Sequence, residues 1–306
     1  MNLTLEKRDR ICFLGDSITA NGRWIAEITE FFLQNYPELE IGLYNCGISG
    51  SKGYEANVKN RLYADCLNLF PKYVVVMFGM NDTWPHLYNP NCPEPDKVEK
   101  RERQLAGYRG TLEEITGYCK KEGVTPILCA PTAYDEYNDL PGDNHFADIA
   151  LRTCRDIAEQ FAKENGLIFV DMHSTIKEHI SEKPVSDDRV HPNEFGHHLM
   201  AEAFLTAIGA KDKPEPNKAC VLSETNQKRF ETEQKIRTIM FLERDCMLWQ
   251  YNPSLSLEER KKQVQERMNR NIEPWIQARG TEYFENVDYL DELRGELVKL
   301  TREMYN

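Results

Sequence analysis

Four short segments of this chain carry residue types suited to acyl transfer. Each falls where an open α/β sheet keeps its site, beyond the C-terminal end of a strand or in a loop facing it. Gly15-Asp16-Ser17-Ile18-Thr19 follows the first expected strand, where glycine permits a sharp exit and the serine stands at the rim of the sheet. Gly47, in Asn45-Cys46-Gly47-Ile48-Ser49-Gly50, follows the second, and Gly79-Met80-Asn81-Asp82 follows the third. A glycine lets its backbone N–H approach a substrate closely, and an asparagine amide is a neutral donor. Acyl transfer needs such donors aimed at the oxygen that turns negative. The fourth segment is Asp187-Asp188-Arg189-Val190-His191-Pro192-Asn193. Pro192 suits a first helical position and keeps His191 out of the α region. Asp188 could accept the Nδ1–H of His191, leaving Nε2 to take a serine proton. Singly, each segment is ordinary turn or capping chemistry. Their combination is what points to a site.

The elements that must carry these segments alternate along the first 210 residues. Ile11–Leu14, Ile41–Asn45, Tyr73–Phe78, Thr125–Ala130 and Leu167–Asp171 read as strands. Most are continuous apolar runs, as strands covered on both faces should be. Amphipathic stretches near Trp24–Tyr36, Glu55–Leu69, Glu99–Lys121, Phe146–Asn165 and Glu194–Ile208 read as helices. This order predicts an α/β fold, a parallel sheet with helices on both sides. Gly123 and Gly166 each follow a helix and precede a strand, the usual place of a helix-ending glycine. Residues 211–217, Lys-Asp-Lys-Pro-Glu-Pro-Asn, form a polar linker. Residues 218–306 carry no strand-like run and predict about three helices. Among them is one opened by the capping box Ser256/Glu259, and one with the stripe Leu290, Leu293, Leu297, Leu300 and Met304.

Composition excludes several classes. Of 306 residues, 41% are hydrophobic and 29% charged, as in a globular protein, and no apolar run is long enough to span a membrane. The N-terminus lacks the apolar core of a signal peptide, so the expected location is cytoplasmic. Nine scattered cysteines without a C-x-x-C pair suit a reduced interior rather than a disulfide framework or a zinc site. A net charge of −12 without a basic stripe argues against nucleic-acid binding. His145, His173, His179, His197 and His198 show no metal spacing.

Together the four segments resemble the SGNH hydrolases, also called GDSL esterases and lipases, in that family's order over roughly residues 8–210. The resemblance implies a three-layer α/β/α sandwich of flavodoxin-like type with a five-stranded parallel sheet. It implies Ser17 as nucleophile, His191 as base and Asp188 as the carboxylate orienting it. The oxyanion donors it implies are the N–H groups of Ser17 and Gly47 and the amide of Asn81. No cofactor or metal is implied. Ile18 stands where the family name has Leu, a volume-conserving exchange.

Two polar, aromatic loops, Thr83–Tyr88 and Pro131–Tyr137, are the expected pocket walls, with Asp16, Trp84, His86 and Tyr134 as substrate-contacting residues. Aromatic faces mixed with hydrogen-bonding groups suit a sugar better than a long acyl chain. Phe78–Trp84, Asp188–Pro192 and Tyr108–Ile115 further resemble the cytosolic acetylesterases of xylo-oligosaccharides. The resemblance implies a small-molecule ester, an acetylated carbohydrate, as substrate. The alternatives are a lysophospholipase or thioesterase of the same family, and a non-catalytic binding protein on this scaffold. The helices of 218–306 either pack on the hydrolase domain or make an interface between copies, and Trp249 and Trp275 could stack on sugar there.

Overall fold

A computed structural model describes residues 3–54, 58–136, 146–181, 183–247 and 250–305. Five strands, β1 (Arg10–Gly15), β2 (Gly42–Gly47), β3 (Tyr73–Met77), β4 (Thr125–Cys129) and β5 (Ile168–Val170), form one parallel sheet of order β2-β1-β3-β4-β5. All five lie within two residues of the runs expected from sequence.

The side-chain period of two explains why those runs are continuous rather than alternating. Ile11 and Phe13 point into one core, against Trp24 of α2 (Arg23–Asn35) and Phe204 of α7 (Glu194–Ala207). Cys12 and Leu14 point into the other, with Leu112 of α4 (Lys97–Lys121) and Phe161 of α5 (Ala147–Asn165). Phe13 meets Trp24 edge to face, with centroids 5.1 Å apart. A short helix, α1 (Ser17–Asn21), leads from β1 into α2, while α3 (Val58–Arg61) and α6 (Met172–His179) complete the two helical layers. Gly166 ends α5 in the left-handed region at φ 63°, and Gly123, at φ 72°, follows α4 closely. The chain leaves β1 towards β2 on one side and returns to β3 on the other. The crevice for a ligand therefore opens beyond β1 and β3.

Where about three helices were expected after residue 218, the described residues form four: α8 (Glu224–Met247), α9 (Leu257–Arg270), α10 (Pro274–Asn286) and α11 (Leu290–Glu303). The additional one, α10, buries only Ile276, Gly280 and Tyr283, too thin a stripe to stand out in sequence. The capping box of Ser256 and Glu259 opens α9 as expected. The stripe on α11 turns inwards, with Leu290, Leu293 and Leu297 in a core shared with Ile236 and Ile239 of α8.

These helices cover the edge of β2. Arg229 Nη2 donates to Leu43 O at 2.5 Å, Asn45 N donates to Glu233 Oε1 at 3.3 Å, and Tyr305 Oη donates to Ile41 O at 2.5 Å. All three fall on odd-numbered residues of the strand region, the backbone groups facing away from β1. Side chains thus satisfy an edge that would otherwise be open to another strand.

Candidate active site

Ser17 is the first residue of α1, directly after β1. The turn is tight. A Cβ on Gly15 would lie 2.8 Å from the carbonyl oxygen of Met77 and 2.2 Å from Thr19 Oγ1, so only glycine fits. Asp16 caps α1, its Oδ1 accepting the N–H of Ile18 at 3.0 Å. As an N1 residue, Ser17 has no acceptor for its own N–H within the helix.

The fourth segment folds back to meet it. His191 Nε2 is 2.8 Å from Ser17 Oγ, and His191 Nδ1 is 2.6 Å from Asp188 Oδ2. The other oxygen of Asp188 accepts the backbone N–H groups of His191 at 2.7 Å and Val190 at 3.0 Å. Arg189 between them sits at φ 73°, a left-handed conformation costing on the order of 1 kcal/mol for a non-glycine residue. Partial burial works against the charge of Asp188. The N–H groups of His191 and Val190 and the adjacent imidazole nevertheless hold its carboxyl below the usual range. An ionised Asp188 accepts a hydrogen bond from Nδ1–H, which leaves Nε2 as acceptor for the serine hydroxyl. Asp187 makes no such contact; its N–H donates to His191 O at 3.4 Å. Pro192 lies outside the helix it was expected to start. It bridges Ser186, and Asn193 caps α7 by accepting the N–H of Gly196.

The donor side is built around Asn81. Its Nδ2 donates to Ser51 O at 3.1 Å and makes a longer contact, 3.5 Å, with Asp16 Oδ2. Gly79, at φ 130°, lies so close to the Pro131 ring that a Cβ would be 2.9 Å from it. Next to Asn81, the fully buried Asp82 carboxylate ties three loop N–H groups together, from Gly53 at 2.8 Å, Tyr54 at 3.4 Å and Gly79 at 2.9 Å. Sequence reasoning missed this staple; its place beside Asn81 was the available signal.

Gly47, expected as an oxyanion donor, has a partner for its N–H. Its N–H donates to Asn45 Oδ1 at 2.9 Å, and a Cβ on it would lie 2.3 Å from Ala20 N. Gly47 is therefore glycine because β2 and α1 touch there. Three residues on, Gly50 adopts φ 73°, and its N–H has no acceptor among the described residues.

Burial pushes the Asp82 carboxyl up to about 7, with the nearby Asp16 carboxylate adding to the effect, and burial raises Asp16 to about 6. The folded state then holds protons that the unfolded chain releases near pH 4. The contribution of these groups to stability is complete below about pH 4 and falls as pH rises to about 7. The loss is at most about 1.4 kcal/mol per pH unit for each group. Asp82→Asn removes one of them. The stability difference between wild type and this variant is expected to move against the wild type over that window and then level off. Thermal midpoints of both proteins from pH 4 to 8 check this; a difference independent of pH contradicts it.

The expected walls divide. Trp84 stays 41% exposed and stacks on His86, with ring planes 18° apart, and His86 Nε2 is 2.9 Å from Glu94. Tyr134 is buried against Met80, Ala147, Leu151 and Val190, so its ring supports the site from behind. Asp16 is 2% exposed, caps α1 and faces Asn81. Trp275 is exposed on α10. Trp249, Tyr137 and His145 lie outside the described residues.

The other histidines have structural surroundings. His173 bonds Asp148, and His198 bonds Glu27 and the Glu215 carbonyl. Burial lowers His197 to about 3 and keeps it neutral. All nine cysteines are free. The sulfur atoms of Cys12, Cys46 and Cys66 lie within 4.8 Å of one another in the core, a convergence that the scattered spacing did not reveal.

Residues 13–199 match the GDSL-like lipase/acylhydrolase family, a span that holds the serine, the histidine, Asp188 and Asn81. The chain belongs to this family. It is a carboxylic ester hydrolase. An acetylxylan esterase of Geobacillus stearothermophilus is 30% identical to it over 219 residues, which are 66% of this chain and 94% of the relative. The crystal structure of a catalytic mutant of an acetylxylan esterase from the same organism superposes with a TM-score of 0.55. It has 26% identity and covers 68% of this esterase and 97% of its own chain. A gut microbial diltiazem-metabolizing enzyme shares the fold over the whole length, helical extension included. Its TM-score is 0.74 at 18% identity, covering 100% of this esterase and 96% of that chain. Among the described residues, no helix is long and apolar enough to cross a membrane.

Proposed function

We propose that this esterase removes acetyl groups from a carbohydrate, with Ser17 as nucleophile, His191 as general base and Asp188 as the group that orients it. The observation carrying this reading is the continuous chain from Ser17 Oγ to His191 Nε2 at 2.8 Å and from Nδ1 to Asp188 at 2.6 Å. Ser17 Oγ attacks the ester carbonyl while Nε2 takes its proton. The imidazolium then protonates the leaving sugar alcohol, giving an acetyl-enzyme, and water repeats the sequence in reverse to release acetate.

The N–H groups of Ser17 and Gly50 and the amide of Asn81 face the developing oxyanion. Gly50 takes the place expected of Gly47 because its N–H, unlike that of Gly47, has no partner among the described residues. Ser51 O anchors one N–H of Asn81 and leaves the other only the long contact to Asp16, which an oxyanion supersedes.

Two points support the acetyl group and the sugar. Relatives are named acetylxylan esterases, and in the Geobacillus stearothermophilus enzyme a serine and an aspartate are each the site of a catalytic mutant. The half-exposed Trp84 beside Asn81 offers the aromatic face on which sugars settle. Nine free cysteines, an odd number, favour work in a reducing cytoplasm.

The test is a panel of p-nitrophenyl esters of increasing acyl length together with acetylated xylo-oligosaccharides, with Ser17→Ala as the blank. Acetyl is expected to give the highest kcat/KM among the acyl groups, and the acetylated sugars are expected to be deacetylated. Activity rising with acyl length, or indifference to acetylated sugars, would replace this reading with a lysophospholipase or thioesterase.

A further inference from the structure

Helix α8 runs beside β2 and the loop after it, and one face of the helix holds that segment at successive points. Arg229 bonds Leu43 O, Glu233 accepts from Asn45 N, Ile236 and Met240 share a core with the fully buried Ile48, and Arg244 Nη2 donates to Gly50 O at 2.8 Å. The steps along the helix are four, three, four and four, a single face at 3.6 residues per turn.

The last contact reaches the proposed oxyanion loop. Two consecutive carbonyls are each held by a side chain: Gly50 O by Arg244, and Ser51 O by Asn81. The guanidinium lies so close that a Cβ on Gly50 would be 2.6 Å from Arg244 Nη1, and φ 73° already favours glycine there. Arg244 lies outside the residues 13–199 that match the family.

We infer that Arg244 is a positioning residue for ester hydrolysis: from α8 it fixes the Gly50 carbonyl and thereby holds the Gly50 N–H towards the oxyanion. This rests on the reading of Ser17, Gly50 and Asn81 given above. It makes the helical extension part of the catalytic apparatus without placing any of its residues on the substrate. Arg244 acts on the transition state because the oxygen needs the Gly50 donor most when it carries full charge.

The experiment uses the full-length chain and p-nitrophenyl acetate, with rates expressed per Ser17 labelled by a fluorophosphonate. Arg244→Met is expected to lower kcat per labelled site on the order of 10-fold or more while KM stays within about two-fold. Added guanidinium ion should restore part of the loss, and Arg244→Lys should fall between the two. Asn81→Ala alone is expected to cost roughly 10²–10³ in kcat. Combined with Arg244→Met it should cost less than the product of the single effects, because both act on one oxyanion.

An unchanged kcat per labelled site in Arg244→Met, with any loss confined to thermal stability or to the labelled fraction, overturns the inference. So do strictly multiplicative effects with Asn81→Ala. If Arg244→Met does not fold, Arg244→Lys is judged by the same per-site kcat, and a wild-type value there overturns the inference too. Retained turnover in Ser17→Ala would instead remove the site reading itself, so the two failures are distinct.

Discussion

Ser17→Ala is expected to lower kcat by about 10⁶, to the level supported by binding and the remaining donors alone. The substitution deletes the atom proposed to bond the ester carbon, the one that makes the 2.8 Å hydrogen bond to His191. It leaves the fold alone. The hydroxyl makes no bond within the core, alanine suits the first turn of a helix, and the cap of α1 comes from Asp16 rather than from Ser17. Hydrolysis of p-nitrophenyl acetate by the purified variant, with its thermal midpoint compared to wild type, measures both halves. Turnover within about tenfold of wild type in a folded Ser17→Ala protein would place the chemistry elsewhere.

Asp188→Asn is expected to cost about 10⁴ in kcat with little change in stability. The reason lies in the two different tasks of the carboxylate. One oxygen accepts the N–H groups of Val190 and His191, and an asparagine oxygen can do the same, so the loop keeps its shape. The other oxygen faces Nδ1 at 2.6 Å, where an NH₂ group would now donate. The imidazole must then carry its proton on Nε2, and that nitrogen can no longer accept from Ser17. Asp187→Asn is the matched control. Its neighbour is one residue away but its carboxylate has no place in the chain of bonds, so kcat should stay within about twofold of wild type. A large loss in Asp187→Asn with none in Asp188→Asn would exchange the roles of the two carboxylates.

The strands were legible because both faces of each are buried. Ile11 to Leu14 has to be apolar throughout when alternate residues enter different cores, and a run of that kind can be found without knowing what it packs against. The local geometry of the Ser17 and His191 segments was legible for a similar reason. Ser17 meets its turn within two residues, and Asp188 meets His191 within three, so local geometry carries most of the arrangement. What the local pattern left open was whether Ser17 and His191, 174 positions apart, would meet.

The donor side was less legible, and the neighbours of Gly47 and Gly50 show why. Both glycines stand in the same short segment after β2, and either could bring an N–H near a substrate. The difference lies in their neighbours. Asn45 Oδ1 takes the N–H of Gly47, α1 presses against its Cα, and the N–H of Gly50 is left over. Tyr134 and Asp16 defeat a sequence reading in the same way. An aromatic residue in a loop and an acid beside a serine both look available, until packing turns one ring into the core and uses the other carboxylate as a helix cap.

The layered α/β fold, the order of the elements, and the serine, asparagine, aspartate and histidine proposed for ester hydrolysis could all be read from sequence. These follow from periodicity and from contacts that span a few residues. Tertiary structure alone decided which backbone donors stay free, that Asp82 staples three loop N–H groups, and that a helix far along the chain from Gly50 holds that loop in place. The physical reason is that an N–H becomes a catalytic donor by lacking any other partner, and a partner can come from anywhere in the chain.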